Sequence, residues 1–279
     1  MRRDPRTCQV QRTRWTLAAL RTQASWLRLR SHAALYRLLK RLGICRKRAR
    51  SYIRSPDPHY DAKLAELRAL RAQVQAASER LVLLYLDEVT IERQPSVAPA
   101  YEARGRRQQP RARRSWSANT ETRLVATLAA HDGRVVFRRG RVSIDALVAF
   151  YQQLRSAYPT AERIYVVMDN WPVHFHPDVL IALEAQETRW PLPRPKSWAA
   201  TASKRAERKW GHLKLPIQLV PLPTYASWCN RIEKLWRKLR QDLTHLHEWA
   251  NDLPRLRDEI DRFLTQFADG SDDLLRYVG

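Results

Sequence analysis

Cysteine, glycine, acidic residues and long apolar runs are all scarce in this sequence, and each scarcity excludes something. The three cysteines among 279 residues, Cys8, Cys45 and Cys229, are odd in number and far apart. No paired spacing marks a zinc site or a disulfide framework, so reduced thiols in a cytoplasmic setting are expected. Seven glycines exclude a low-complexity chain, and no repeat of fixed period runs through it. No apolar stretch approaches transmembrane length and no signal-peptide core follows the basic start, so no membrane association is expected. Acid is outnumbered as well, 28 Asp and Glu against 51 Lys and Arg, leaving a formal charge of +23. Self-repulsion of that size calls for a polyanion, and nucleic acid is the favoured partner.

The charge is concentrated. Residues 1–60 hold sixteen Lys and Arg against Asp4 and Asp57. Trp15, Leu17, Leu20, Trp26 and Leu27 space like helix core positions, and Ser31 is an N-cap candidate for HAALYRLLKRLG, which Gly43 would end. In that helix Leu35, Leu38, Leu39 and Leu42 form an apolar stripe, leaving Arg37, Lys40 and Arg41 for phosphate. ICRKRARSYIR reads as a basic wing carrying Arg46, Lys47, Arg48 and Arg50. A winged helix-turn-helix DNA-binding head over residues 1–58 is therefore expected, or else a solvated helical pair. SPDP at 55–58 marks a boundary, residues 59–80 form a linking helix, and 81–279 form a second domain.

That second domain alternates. LVLLYLDEV is an apolar strand ending in acid at Asp87. RLVATLAA and RVVFRRG flank His131-Asp132-Gly133, a hairpin signal that makes the first three strands antiparallel neighbours. Ser143 caps a helix with apolar positions at 144, 147, 148, 151 and 154. RIYVVMDN is another strand ending in acid, at Asp169. HPDVLIALEAQE reads as a helix, PIQLVPLP as a strand, and NRIEKLWRKLRQDLTHLHEW as one long amphipathic helix with Glu233 in its first turn or so. The order is that of an α/β, ribonuclease H-like fold, a mixed sheet flanked by helices.

Each of the three acids alone reads equally well as a structural cap or salt-bridge partner. Jointly, Asp87 and Asp169 at the ends of adjacent strands and Glu233 on a neighbouring helix converge on one sheet edge, where like charges need a cation. Three carboxylates without a Cys or His cluster suit Mg²⁺ or Mn²⁺, as a pair of ions.

At LYLDEV, VVMDNWPVH and LPTYASWCNRIEKLWRKLR the sequence resembles the DDE transposases of the bacterial insertion-sequence six-thirty family, within the mariner superfamily. RLLKRLGICRKRAR and SPDP are similar to the second half of that family's winged helix-turn-helix region. The resemblance implies that Asp87, Asp169 and Glu233 are the catalytic, metal-binding triad, with Glu88, Asn170, His174 and Asn230 in supporting positions. It further implies cleavage of double-stranded DNA at terminal inverted repeats and attack of the freed 3′-hydroxyl on target DNA, commonly at a TA dinucleotide. No covalent enzyme intermediate is involved, and a homodimer on DNA is expected.

The sequence departs from the family at three places. Arg231 stands where the family helix begins with proline, Cys229 replaces an apolar residue, and an insertion near 190–216, read either as a loop that contacts DNA or a partner or as a solvated loop, lengthens the path from Asp169 to Glu233. No first helix-turn-helix half is recognisable before residue 12, which points to a truncated or decayed copy. The alternatives to a transposase are thus a DNA-binding repressor and a ribonuclease H-like nuclease without strand transfer. The stretch 102–116, with Arg104, Arg106, Arg107, Arg111, Arg113 and Arg114, is read either as a DNA contact or as a solvated hairpin. His174 either positions a phosphate or water or is a structural hydrogen-bonder. Trp236 and Trp249 are read as core residues.

Overall fold

The computed structural model describes residues 4–47, 54–104, 109–117, 119–186, 189–191 and 194–279. The chain divides into two compact units, Met1–Ile53 and Arg54–Gly279.

In the first unit, α1 (Leu17–Gln23) begins where the Thr16 hydroxyl accepts from the Ala19 amide, and α2 (His32–Arg41) where Ser31 accepts from Ala34. Both caps satisfy amides that a helix start leaves orphaned. Leu35 is buried, and Arg37, Lys40, Arg41, Arg46 and Lys47 are exposed. Two expected core positions are not core. Trp26 is 76% exposed because α1 stops at Gln23 and a 3₁₀ turn, closed by Arg28 at φ +50, breaks the helical phase. Leu42 lies beyond the last turn of α2, where Gly43 at φ +71 redirects the chain, and is exposed. Arg48, Arg50 and most of the expected wing fall outside the described residues.

The second unit is built on a five-stranded sheet: β1 (Leu81–Glu92), β2 (Glu121–Ala129), β3 (Val135–Arg139), β4 (Arg163–Met168) and β5 (Ile217–Pro221), in the order β3-β2-β1-β4-β5. β1 pairs antiparallel with β2, and β2 with β3, while β4 runs parallel to both β1 and β5. Strand alternation then sorts the core into two layers. Val82, Leu84 and Leu86 face α4 (Ile144–Ala157), α5 (Pro177–Leu180) and α6 (Lys204–Trp210). Leu83, Tyr85, Val89 and Ile91 face α3 (Tyr60–Ala76), α7 (Ile232–Leu239), α8 (Leu253–Thr265) and α9 (Asp272–Val278). This is the expected ribonuclease H-like mixed sheet with helices on both faces. α3, read as a linker, packs Leu67 and Val74 into the second layer.

Four expectations are corrected. β1 does not end at Asp87 but continues to Glu92, because β2 supplies antiparallel partners over that whole length. The helix expected from HPDVLIALEAQE stops at Leu180, since the backbone beyond it bonds instead to Leu215, with Leu215 N to Ala182 O and Glu184 N to Leu215 O both at 2.9 Å. The long helix carrying Glu233 ends at Leu239 and closes with a wider π turn. There Thr244, His245 and Leu246 meet Ser96, and Leu246 takes φ +54. The inserted segment is not wholly a loop: Ser203 caps α6, and Ala206 and Trp210 are buried in the first layer.

Candidate active site

Asp87 and Asp169 are placed by the parallel pairing of β1 and β4. The register runs from Leu81 opposite Arg163 to Tyr85 opposite Val167, so two further residues along each strand reach the two acids. Asp87 lies two residues beyond Tyr85, on the face of the sheet that packs against α7. Asp169, one residue past β4, is exposed, and its Oδ1 accepts from the Trp171 amide at 2.9 Å.

Glu233 sits in the first turn of α7, and two bonds hold that turn to β1. Asn230, buried, donates from Nδ2 to the Leu86 carbonyl at 2.9 Å. One turn further on, Trp236 donates from Nε1 to Asp87 Oδ2 at 3.0 Å. Asn170 does the same service for the neighbouring loop, its Nδ2 reaching the Leu222 carbonyl at 2.8 Å. Arg231, in place of the family's proline, keeps helical φ and ψ at the start of α7 and lies over the Tyr85 ring, 5.9 Å from its centroid.

Burial, then the charges of Glu233 and Glu88, push the Asp87 carboxyl up to about 7, against the opposing pull of the Trp236 hydrogen bond. A carboxylate so placed is relieved by a cation. Oxygen-only ligands match a hard divalent ion, so the residue types fit the expected metal. The side chains do not close around one: among the described residues no three His, Cys, Asp or Glu converge to metal-binding distance. Asp87 lies within reach of the charge of Glu233.

Glu88 points to the opposite face. There His174, fully buried, places Nε2 at 3.2 Å from Glu88 Oε1, off the line of a hydrogen bond, so that among the described residues neither atom has a hydrogen-bond partner. The ring is fully buried, so among the described residues neither a surface for phosphate nor the hydrogen bond expected of a structural His174 is formed. Trp236 is core, as expected, but it also fixes Asp87. The Asn-x-x-Glu-x-x-Trp spacing that places Asn230, Glu233 and Trp236 one turn apart carried that signal. Arg104, Arg111, Arg113 and Arg114 are exposed, and Arg106 and Arg107 lie outside the described residues. Among the described residues no helix is long and apolar enough to cross a membrane.

The chain is 25% identical over 256 residues to the insertion element IS630 uncharacterized 39 kDa protein of Shigella sonnei, across 90% of this chain and 64% of that protein. It therefore spans just under two thirds of that relative. Among solved structures it is similar to the Mos1 transposase paired-end complex with left transposon end, with a TM-score of 0.58 at 15% identity, covering 98% of this chain and 73% of that one. The Mos1 mariner paired end complex with Mn gives 0.58 at 16%, covering 98% and 73%, and the complex with Mg gives 0.56 at 12%, covering 98% and 74%. These likenesses bear out the ribonuclease H-like fold and the resemblance drawn from the three motifs. Residues 82–257 match the family described as DDE superfamily endonuclease, and the chain belongs to that family.

Proposed function

We propose that the chain is an insertion-sequence transposase that cuts DNA at terminal inverted repeats and joins the freed end to target DNA. The observation that carries this reading is the approach of Glu233 to Asp87, secured by Asn230 on Leu86 and Trp236 on Asp87, at the end of the strand pair that also delivers Asp169. The relative from an insertion element and the Mos1 complexes with transposon ends support the same reading.

Asp87, Asp169 and Glu233 would hold two Mg²⁺ or Mn²⁺ ions, which when bound lower the pKa of an attacking oxygen and offset charge on the leaving one. In cleavage a water oxygen bonds to phosphorus, the bond from phosphorus to the 3′-oxygen breaks, and that oxygen leaves as a 3′-hydroxyl. In joining, that hydroxyl loses its proton as its oxygen bonds to a target phosphorus, and the displaced target 3′-oxygen takes up a proton. The role of Asp87, Asp169 and Glu233 is to bind and orient, with Glu88, Asn170, His174 and Asn230 bracing the strand and loop that carry them. The exposed bases Arg37, Lys40, Arg41, Arg46, Lys47, Arg111, Arg113 and Arg114 would hold DNA phosphates. Synapsis of two element ends calls for a homodimer, acting on the bacterial nucleoid in the cytoplasm.

That the three acids do not close on one metal position among the described residues favours one second reading, a copy that binds terminal repeats and represses without cutting. Incubation with Mn²⁺, pre-nicked terminal-repeat duplex and target plasmid separates the cases. Joined product that disappears in Asp87→Ala, Asp169→Ala and Glu233→Ala is expected. Binding that survives EDTA with no cleavage in Mn²⁺ supports the repressor, cutting without joining indicates a nuclease, and cleavage intact in all three variants overturns the triad.

A further inference from the structure

Arg71 on α3 and Arg231 at the start of α7 converge on one buried tyrosine. Arg71 donates from Nε to the Tyr85 hydroxyl, and the two guanidinium carbons lie 5.4 and 5.9 Å from the Tyr85 ring centroid. Both side chains are half-buried. Among the described residues neither forms an ion pair, and the Arg231 guanidinium makes no hydrogen bond. Arginine offers five donors and stays charged, so two such groups, partly withdrawn from water and close enough to repel, lack the counter-charge that normally accompanies burial. Burial, and after it that repulsion, moves Arg231 below its ordinary pKa. Tyr85 fixes Arg71 through Nε alone and leaves the outer fork free to meet an anion in bidentate fashion.

The position is specific. Tyr85 precedes Asp87 by two residues on the same face of β1, and Arg231 precedes Glu233 by two residues on α7. Tyr85, which the two guanidinium groups share, therefore stands two residues, about 7 Å of strand, before Asp87.

We infer that Arg71 and Arg231 together form a binding site for a single backbone phosphate of the DNA strand that approaches Asp87 and Glu233. The inference rests on the DNA-processing reading above. It assigns a contact that a proline at 231 could not make, so that the departure from the family pattern adds an anchor for DNA.

The test is binding of a fluorescein-labelled random-sequence DNA duplex by the full-length chain over a range of KCl concentrations. Each phosphate contact contributes about 0.9 to the slope of log affinity against log salt. Arg231→Gln and Arg71→Gln are each expected to lower that slope by about one contact. The double variant should lose no more than one contact in total, and Arg231→Lys should keep the slope. Melting temperatures measured alongside detect misfolding. Variants that melt earlier yet bind with the wild-type slope would show that the pair only braces Tyr85, overturning the inference while leaving the DNA-processing reading intact. Wild-type protein whose binding shows no salt dependence would overturn both.

Discussion

The indole of Trp236 donates to Oδ2 of Asp87 across 3.0 Å, from one helical turn beyond Glu233. A single rigid turn thus carries one acid and orients another. The hydrogen bond favours the charged carboxylate, the form a cation binds. Trp236→Phe keeps an aromatic ring in the core but removes the donor. A hydrogen bond to a charged group contributes about 1.5–3 kcal/mol, so Mn²⁺ affinity should weaken by about tenfold or more. Titration calorimetry with Mn²⁺ measures this directly, and equal affinity in the two proteins would discard the role given to Trp236.

Asp87 also sets a pH dependence. Burial, Glu233 and Glu88 raise its folded carboxyl to about 7, whereas an unfolded aspartate titrates near 4. Between those values the folded state holds a proton that the unfolded state has released. This contribution to stability is full below about pH 4 and is lost as pH rises through about 7, by up to about 4 kcal/mol in metal-free protein. Asp87→Asn should flatten that decline and melt higher than wild type at neutral pH in EDTA. Parallel melting curves for the two proteins across this range would contradict it.

Asp57 works in the opposite sense. Burial alone would raise its carboxyl, but the hydrogen bonds from Lys63 and from the amides of Thr224 and His59 outweigh it, holding the group down to about 2. Its contribution is present above the unfolded value near 4 and lost as pH falls through about 2, amounting to about 2 kcal/mol. Asp57→Asn should lower unfolding free energy by about that amount at pH 6 and by almost nothing at pH 2. Urea denaturation at the two pH values checks both halves. Because Thr224 opens the loop that leads to Asn230 and Glu233, weaker Mn²⁺ binding should accompany the loss at pH 6.

Much of this arrangement was legible in the sequence. Apolar runs before Asp87 and Asp169 are long enough to specify buried strands, and Ser31 and Ser143 announce helix starts through local chemistry that tertiary packing has no reason to override. What escaped is set by partners distant in the chain. β2 carries β1 past Asp87 to Glu92, and Ser96 takes up the backbone where the helix that continues past Leu239 ends. Leu183 leaves the helical path because Leu215 offers its backbone an alternative. The hydrogen bond from Trp236 to Asp87 spans 149 residues; periodicity identified Trp236 as buried but not what its nitrogen meets. Arg71 was one arginine among many until α3 packed on the sheet beside Tyr85.

The hairpin between β2 and β3 provides a control that separates stability from the site. Gly133 has φ +72, and a Cβ there would meet the Ser271 carbonyl oxygen at 2.6 Å and Leu275 Cγ at 3.1 Å. The contact is mutual, since Gly270 at φ +93 abuts the Asp132 carbonyl, which accepts from the Ser271 amide at 2.8 Å. Gly133→Ala therefore combines left-handed backbone strain with a clash against backbone that cannot swing away, at a cost of about 1–3 kcal/mol. The loss should appear as a lower melting temperature. The hairpin adjoins the Leu83 end of β1, whereas Asp87 pairs with Ala126 further along, so Mn²⁺ affinity well below the melting transition should match wild type. A variant that melts normally would mean that the start of α9 yields to the added methyl, and one that loses Mn²⁺ binding while folded would couple the hairpin to the acids.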